Sequence, residues 1–262
     1  MRRRVRLFRG VNLNFKPREG PASMVFVNDM KCKFWFLTAL AVLAFFPASR
    51  ADDTATNSAP NLAPLPLVLP EPALRGTPPN LPTNTTAEPL SSKPRPVFFA
   101  PKNVTNVALG KPVSASDTNL ITGELRQITD GKKGAYEENI VTLRRGLQWV
   151  QIDLQGEFNL YAIVLWHDFS TPVVFREVIV QVSDDPEFKT GVHTLFNNDQ
   201  KNSAGFGVGT DREYFDNSLT GAGKLVDAKG VRARYVRCYS HGNSDNALNT
   251  YIEVEAYGLP AS

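Results

Sequence analysis

The chain has 262 residues, 42% hydrophobic and 21% charged, and a formal net charge of +3. The surplus lies in residues 1–50, where ten Lys and Arg face two acids, so residues 51–262 sum to −5. A mildly acidic remainder excludes the basic footprint of a nucleic-acid binder, and Cys238, the one cysteine after residue 50, excludes an intramolecular disulfide there.

Residues 1–29 form a basic extension. Met30-Lys-Cys-Lys then leads into an apolar run from Phe34 to Phe46, followed by the small residues Ser49 and Ala51. A basic start, an apolar stretch and small residues after it make residues 30–51 a secretory signal, with cleavage expected after Ala51. The run is shorter than the ~20 residues of a membrane span, and no cysteine follows it where a lipid anchor would need one. Either residues 1–29 are a long leader to this signal, or Met30 is the true start and the extension is not translated; ordinary signal length favours Met30. The mature chain is expected to be secreted, or periplasmic and associated with the cell envelope, without a transmembrane segment.

Residues 52–102 are a Pro-rich linker: twelve of the nineteen prolines fall between Pro60 and Pro101. Pro60, Pro64, Pro66, Pro70 and Pro72 oppose both helix and sheet-ladder geometry. The stretch reads as an extended, semi-rigid and mostly disordered spacer. Leu65, Leu67 and Leu69 alternate with Pro and Val, so a short docking motif is the alternative to a plain tether.

Residues 103–259 carry a period of two. Val150, Ile152 and Leu154 share one face of a strand with Trp149, Gln151 and Asp153 opposite. Leu160–Trp166 is apolar on both faces, which predicts a central strand between two packed sheets. Val178, Val180 and Val182 repeat the alternation, Val192–Phe196 follows, and Arg232–Tyr239 and Thr250–Tyr257 close the series. Gly110-Lys-Pro, Asp130-Gly, Gly156, Asp184-Asp-Pro and Lys229-Gly are the turn signals between them. One short helical turn is expected at Thr122–Ile128. About eight antiparallel strands at these intervals predict an all-β jelly-roll sandwich. Trp149 and Trp166 read as structural, and Cys238 as a small buried hydrophobe rather than a reactive thiol.

In order along this domain stand Asn106-Val-Ala-Leu-Gly-Lys-Pro-Val-Ser-Ala-Ser, Ile128-Thr-Asp-Gly, Trp149-Val-Gln-Ile-Asp-Leu, Arg234-Tyr-Val-Arg and Ile252-Glu-Val-Glu-Ala-Tyr-Gly. Together they resemble the discoidin, or coagulation-factor type C, family, whose fold is the galactose-binding-like jelly roll. Many animal members join the domain ends by a disulfide; its lack here looks like the bacterial carbohydrate-binding branch. In carbohydrate-binding relatives an Asp-Gly loop and a Glu of the last strand share a structural calcium ion, so the resemblance implies Asp130 and Glu253 as ligands of Ca2+. The loop departs from relatives by continuing Lys132-Lys-Gly. The other reading of Asp130 is a metal-free turn whose carboxylate bonds backbone amides.

Ligand contacts in such a fold are expected on loops at one end of the sandwich. A pyranose ring needs an aromatic platform with fixed donors and acceptors around it. Phe206 is the candidate platform, and His167, Arg212, His241, Asn243 and Asn246 are the candidate polar contacts, although Arg212 and His241 also read as solvated loop residues. Asn198, Asp199 and Asn202 form a further polar run, read as a solvated loop rather than a cation site. The three histidines at 167, 193 and 241 stand in no His-Glu-x-x-His pattern, and no Gly-x-Ser-x-Gly or phosphate-cradling loop occurs. The expectation is therefore a non-catalytic, exported module that binds a glycan or cell-envelope surface. A protein-interaction or adhesion role, or lipid head-group binding through a loop aromatic, are the alternatives.

Overall fold

The computed structural model describes residues 61–78 and 81–261. The basic extension, the export signal with Cys32 and Ala51, and linker residues 52–60 lie outside the described residues. Thirteen strands run through the described part: β1 (Leu62–Pro64), β2 (Phe99–Pro101), β3 (Thr105–Asn106), β4 (Val113–Ala115), β5 (Val141–Leu143), β6 (Gln148–Trp166), β7 (Val174–Phe175), β8 (Ile179–Ser183), β9 (His193–Asn197), β10 (Tyr214–Phe215), β11 (Lys224–Ser240), β12 (Asn249–Tyr251) and β13 (Glu253–Pro260). The main sheet has the order β3-β13-β6-β11-β8-β9, with β4 also on β6, and every pairing is antiparallel. Pairs β5–β12 and β7–β10 complete the sandwich. The all-β architecture is the expected one. The helical turn lies at Leu125–Thr129, as a 3-10 segment, and a second short one lies at Glu137–Asn139.

Two turn signals act as bends inside strands instead of chain reversals. Gly156 lies within the 19-residue β6, where Gln155 takes a left-handed φ of 63° and its amide is held by Asp153 Oδ1 at 2.8 Å. Lys229-Gly230 lies within the 17-residue β11, both residues at positive φ, and the register to β6 shifts between Asp227 and Val231. Bulges of this kind bend a strand while keeping its ladder. They let β6 pair with β4 along one half and with β13 along the other, while β11 pairs with β8 along its second half.

The alternation fills the core as expected. Val150, Ile152, Leu154, Val180, Val182, Val236, Cys238 and Val254 are all buried in one cluster with Val141, Leu143 and Tyr251. At about 1.5–3 kcal/mol for each large apolar side chain, this cluster dominates the stability of the domain.

The opposite face of β6 departs from expectation. Ala162, Val164 and Trp166 are covered, together with Phe169, Ile252 and Tyr257, by Leu65, Leu67 and Phe98 of the Pro-rich segment. The linker is extended, as its prolines require, yet its described part does not stand off as a free spacer. β1 pairs with β2, Leu65 N–H donates to Phe98 O at 2.8 Å, and both strands lie against the sandwich. The reason is physical: a strand apolar on both faces needs a cover on each, and here one cover is the Leu-Pro alternation of this segment.

Candidate functional site

The candidate polar contacts fall in different places. His167 is fully buried, so its reading as a ligand contact is corrected: it stacks on Phe175 at 4.3 Å between ring centroids, and its backbone amide donates to Asp216. The residue ends a strand whose face continues into the core, and sequence position at a strand end did not separate loop from core. Its Nε2, together with Asp216 Oδ1 and Ser218 Oγ, has no protein partner. Asn198 and Asp199 are also buried. Asn198 Oδ1 accepts the Val178 amide at 2.6 Å, and Asp199 accepts from Ser203 Oγ and the Ala204 amide. They build the turn instead of a solvated loop.

Phe206 and His241 lie toward one end of the sheet. Phe206 is 42% exposed, and its ring lies 4.7 Å from that of Tyr239. Tyr239 pairs with Ile179 in the ladder; two residues further on, His241 Nδ1 bonds Glu177. Below Tyr239, its hydroxyl accepts from Arg237, whose guanidinium lies between Trp149 at 4.4 Å and Phe188 at 4.1 Å. Trp149 is thus a half-buried support. The result is a continuous stripe of aromatic and guanidinium groups with Phe206 at its exposed end. In the following loop Asn243 Oδ1 accepts the amides of Asp245 and Asn246 at 2.9 Å, and Asn246 Oδ1 accepts that of Leu248 at 2.9 Å. Both oxygens shape the loop. Arg212 stands apart, 71% exposed and 3.9 Å from Glu88, at the rim of a groove between the Pro-rich segment and residues 212–225.

The Asp130 turn and Glu253 do meet. Both carboxylate oxygens of Glu253 accept the Gly131 amide, at 3.1 and 3.2 Å, and the side chain is fully buried. Burial, with Glu255 and Asp130 nearby, pushes its carboxyl up to about 9. Asp130 Oδ1 accepts the Lys132 amide at 2.9 Å, the bond expected of a metal-free turn. Lys133 pairs with Glu255 at 2.8 Å and lies 5.2 Å above the Trp166 ring. Among the described residues no three His, Cys, Asp or Glu side chains converge on a metal position. Glu253, a buried carboxylate served by a single N–H, still suits a hard cation whose remaining ligands are backbone carbonyls.

Sequence reasoning missed Arg95 and Lys224. Arg95 sits in a segment read as linker, and Lys224 precedes the strand as it was expected. The signal that marks them is three-dimensional: both line the groove rimmed by Arg212.

No family model and no curated protein matches the chain. Solved structures do. A chitosan-binding module from a chitosanase/glucanase of Paenibacillus sp. IK-5 is 18% identical, with a TM-score of 0.43 over 59% of this chain and 99% of that one. The CBM32 of AlyQ, in complex with 4,5-unsaturated mannuronic acid, is 16% identical, with a TM-score of 0.41 over 55% and 92%. A Streptococcus pneumoniae fucose-binding module is 16% identical, with a TM-score of 0.41 over 59% and 98%. These are modules of the kind that the sequence motifs resemble. The fold assignment itself rests on the strand pairing and core described above.

Proposed function

We propose that this chain is an exported, non-catalytic module that binds carbohydrate through loops at one end of the sandwich. The observation that carries the reading is Phe206: an aromatic ring, 42% exposed, seated on Tyr239, two residues before the polar His241. A pyranose ring stacks its apolar face on such a platform while its hydroxyl rim reaches fixed donors and acceptors. His241 and the Nδ2 donors of Asn243 and Asn246, whose oxygens are engaged in the loop, supply that chemistry, and the His241–Glu177 pair orients the imidazole. The test is calorimetry with neutral and acidic oligosaccharides selected on a glycan array. Phe206→Ala should weaken a neutral sugar at least about tenfold, with the melting temperature unchanged. Equal binding by the variant would remove this site.

Lipid head-group binding is the second reading, favoured by Phe206 and Val208, both exposed on one loop. Co-sedimentation with anionic vesicles that is lost in Phe206→Ala, without any glycan binding, would replace the carbohydrate reading with this one.

Calcium belongs to the same proposal. Glu253 and the Asp130 turn would hold the ion, which would supply the positive charge that a buried carboxylate lacks and pin the turn to the last strand. Calcium added to chelator-treated protein should raise the melting temperature. No rise at millimolar calcium would leave the turn metal-free.

A further inference from the structure

Residues 88–96 of the Pro-rich segment and residues 212–225 of the sandwich enclose a groove of about 480 Å³. Arg95 and Lys224, both half-buried, line it. Arg95 donates one hydrogen bond, to the Gly223 carbonyl at 2.8 Å. The Lys224 ammonium lies 4.3 Å from the Phe196 ring centroid and 5.1 Å from that of Tyr214. Neither cation has a carboxylate within ion-pair distance among the described residues. Removal from water without a partner is unfavourable for a charge, and burial lowers the pKa of both groups.

The acids around the groove, of which Glu88 and Glu213 line it, are engaged by other groups. Glu213 accepts from Thr85 Oγ1 at 2.6 Å and the Thr86 amide at 2.9 Å, and it lies 3.4 Å from Arg176. Glu88 is exposed and faces Arg212. Asp211 accepts the Asn197 amide at 2.7 Å and attracts Lys224 from beyond ion-pair distance. Asp216 is fully buried and bonded to the His167 amide; it attracts both cations, but only at longer range. Lys93 adds a further cation to the lining, beside Arg212. The groove therefore presents unpaired positive charge next to the apolar Leu90 and Phe215.

We propose that this groove binds the anionic group of an acidic glycan, a uronate carboxylate or a sulfate ester, with Arg95 and Lys224 as its charged contacts. The word glycan rests on the carbohydrate reading above; the oxyanion site does not. Guanidinium and ammonium groups in a partly desolvated groove form strong charge-assisted hydrogen bonds to such oxygens. The site is separate from the Phe206 platform, and it exists only because the Pro-rich segment supplies one wall.

Calorimetry on the full chain would compare a galacturonan oligosaccharide, a dextran sulfate oligosaccharide and neutral dextran. Arg95→Gln and Lys224→Gln should each weaken the acidic ligand at least about tenfold, and rising salt should weaken it in the wild type. Ile121→Ala, at an exposed residue outside the groove and the Phe206 loop, should leave that affinity unchanged. Preference for galacturonan or for dextran sulfate tells carboxylate from sulfate ester. Acidic oligosaccharides that bind both groove variants as tightly as wild type overturn the proposal. Where no oligosaccharide binds, inorganic sulfate followed by amide chemical shifts separates the two readings. Shifts at Gly223 and Lys224 that vanish in Arg95→Gln keep the oxyanion site and reject the carbohydrate reading; no shifts reject the site as well. If Arg95→Gln lowers the melting temperature, Arg95→Lys, which keeps the charge, must retain binding.

Discussion

Arg95 donates to the carbonyl of Gly223, 128 residues further along the chain, and so ties the Pro-rich segment to the sandwich. Gly223 is the residue this contact requires. A Cβ there would meet Leu165 O at 2.3 Å and the Trp166 ring at 2.7 Å, so only glycine brings the backbone this close. The neighbouring Gly221 carbonyl accepts the Trp166 indole N–H at 2.9 Å. A second tie is Glu213, which holds Thr85 and Thr86. In Glu213→Ala, amide exchange at Thr86 should accelerate about fivefold, the worth of roughly 1 kcal/mol, while exchange at Val164 stays constant. Equal acceleration at both would show that Glu213 supports the whole fold and not the segment alone.

Leu65 and Leu67 cover the Trp166 face of β6. Each is only partly buried, so replacement by alanine should cost about 1–2 kcal/mol, below the usual range for a fully buried leucine. Val68, 71% exposed, is the control and should change by less than about 0.5 kcal/mol on replacement by alanine. Denaturant unfolding measures all three, and indistinguishable values would mean that the segment does not pack as described.

Lys133 and Glu255 form a buried pair with 11% and 5% side-chain exposure. Glu255 also accepts from the Tyr257 hydroxyl at 2.8 Å. Lys133→Met leaves the carboxylate without its cation and should cost about 3–5 kcal/mol. The double variant Lys133→Met, Glu255→Gln removes the charge as well and should recover much of that loss. A double variant no better than the single one would assign Lys133 a packing role only. These measurements belong in chelator, so that calcium does not enter.

Asp117 gives the domain an acid limb. The Arg144 amide, at 2.7 Å, holds its carboxyl below the ordinary value against the opposing effect of burial, and the Asn119 amide, at 3.0 Å, adds to this. With the folded pKa depressed, the unfolded state binds the proton more readily, and stability falls as the pH is lowered. The contribution is complete above the unfolded value of about 3.9 and is lost as pH falls through the folded pKa. Asp117→Asn should therefore be less stable than wild type at pH 7, and the gap should close below about pH 4. A gap that is constant with pH would contradict this assignment.

Cys238 is 1% exposed, and burial pushes its thiol up to about 12. A maleimide at pH 7 should label it only at the rate of global unfolding, because the thiolate is the nucleophile and has no access to solvent. Fast labelling of folded protein would place the thiol at the surface.

Much of the scaffold was legible in local pattern. The alternation at Val150, Ile152 and Leu154 and at Val178, Val180 and Val182 requires one face inside, and the fold buries those faces. The Asp130-Gly131 turn and Glu253, 122 residues apart, were brought together by a family resemblance, and the Gly131 amide does bond Glu253. The site was less legible. Phe206, His241 and Asn246 are exposed, but His167 is not. A polar residue at the end of an apolar strand looks the same in sequence whether the chain then turns outward or continues under a cover.

The sequence by itself determined an all-β fold, because side-chain period and turn chemistry are properties of neighbouring residues. Only the tertiary structure decided what covers the second face of β6 and where unpaired charge collects. Both depend on contacts between residues more than 100 positions apart, such as Arg95 with Gly223 and Thr85 with Glu213. A Pro-rich stretch lacks a ladder of its own, so nothing local marks where it comes to rest. Its seat is selected by the apolar face left open on β6, which exists only once the sandwich has formed.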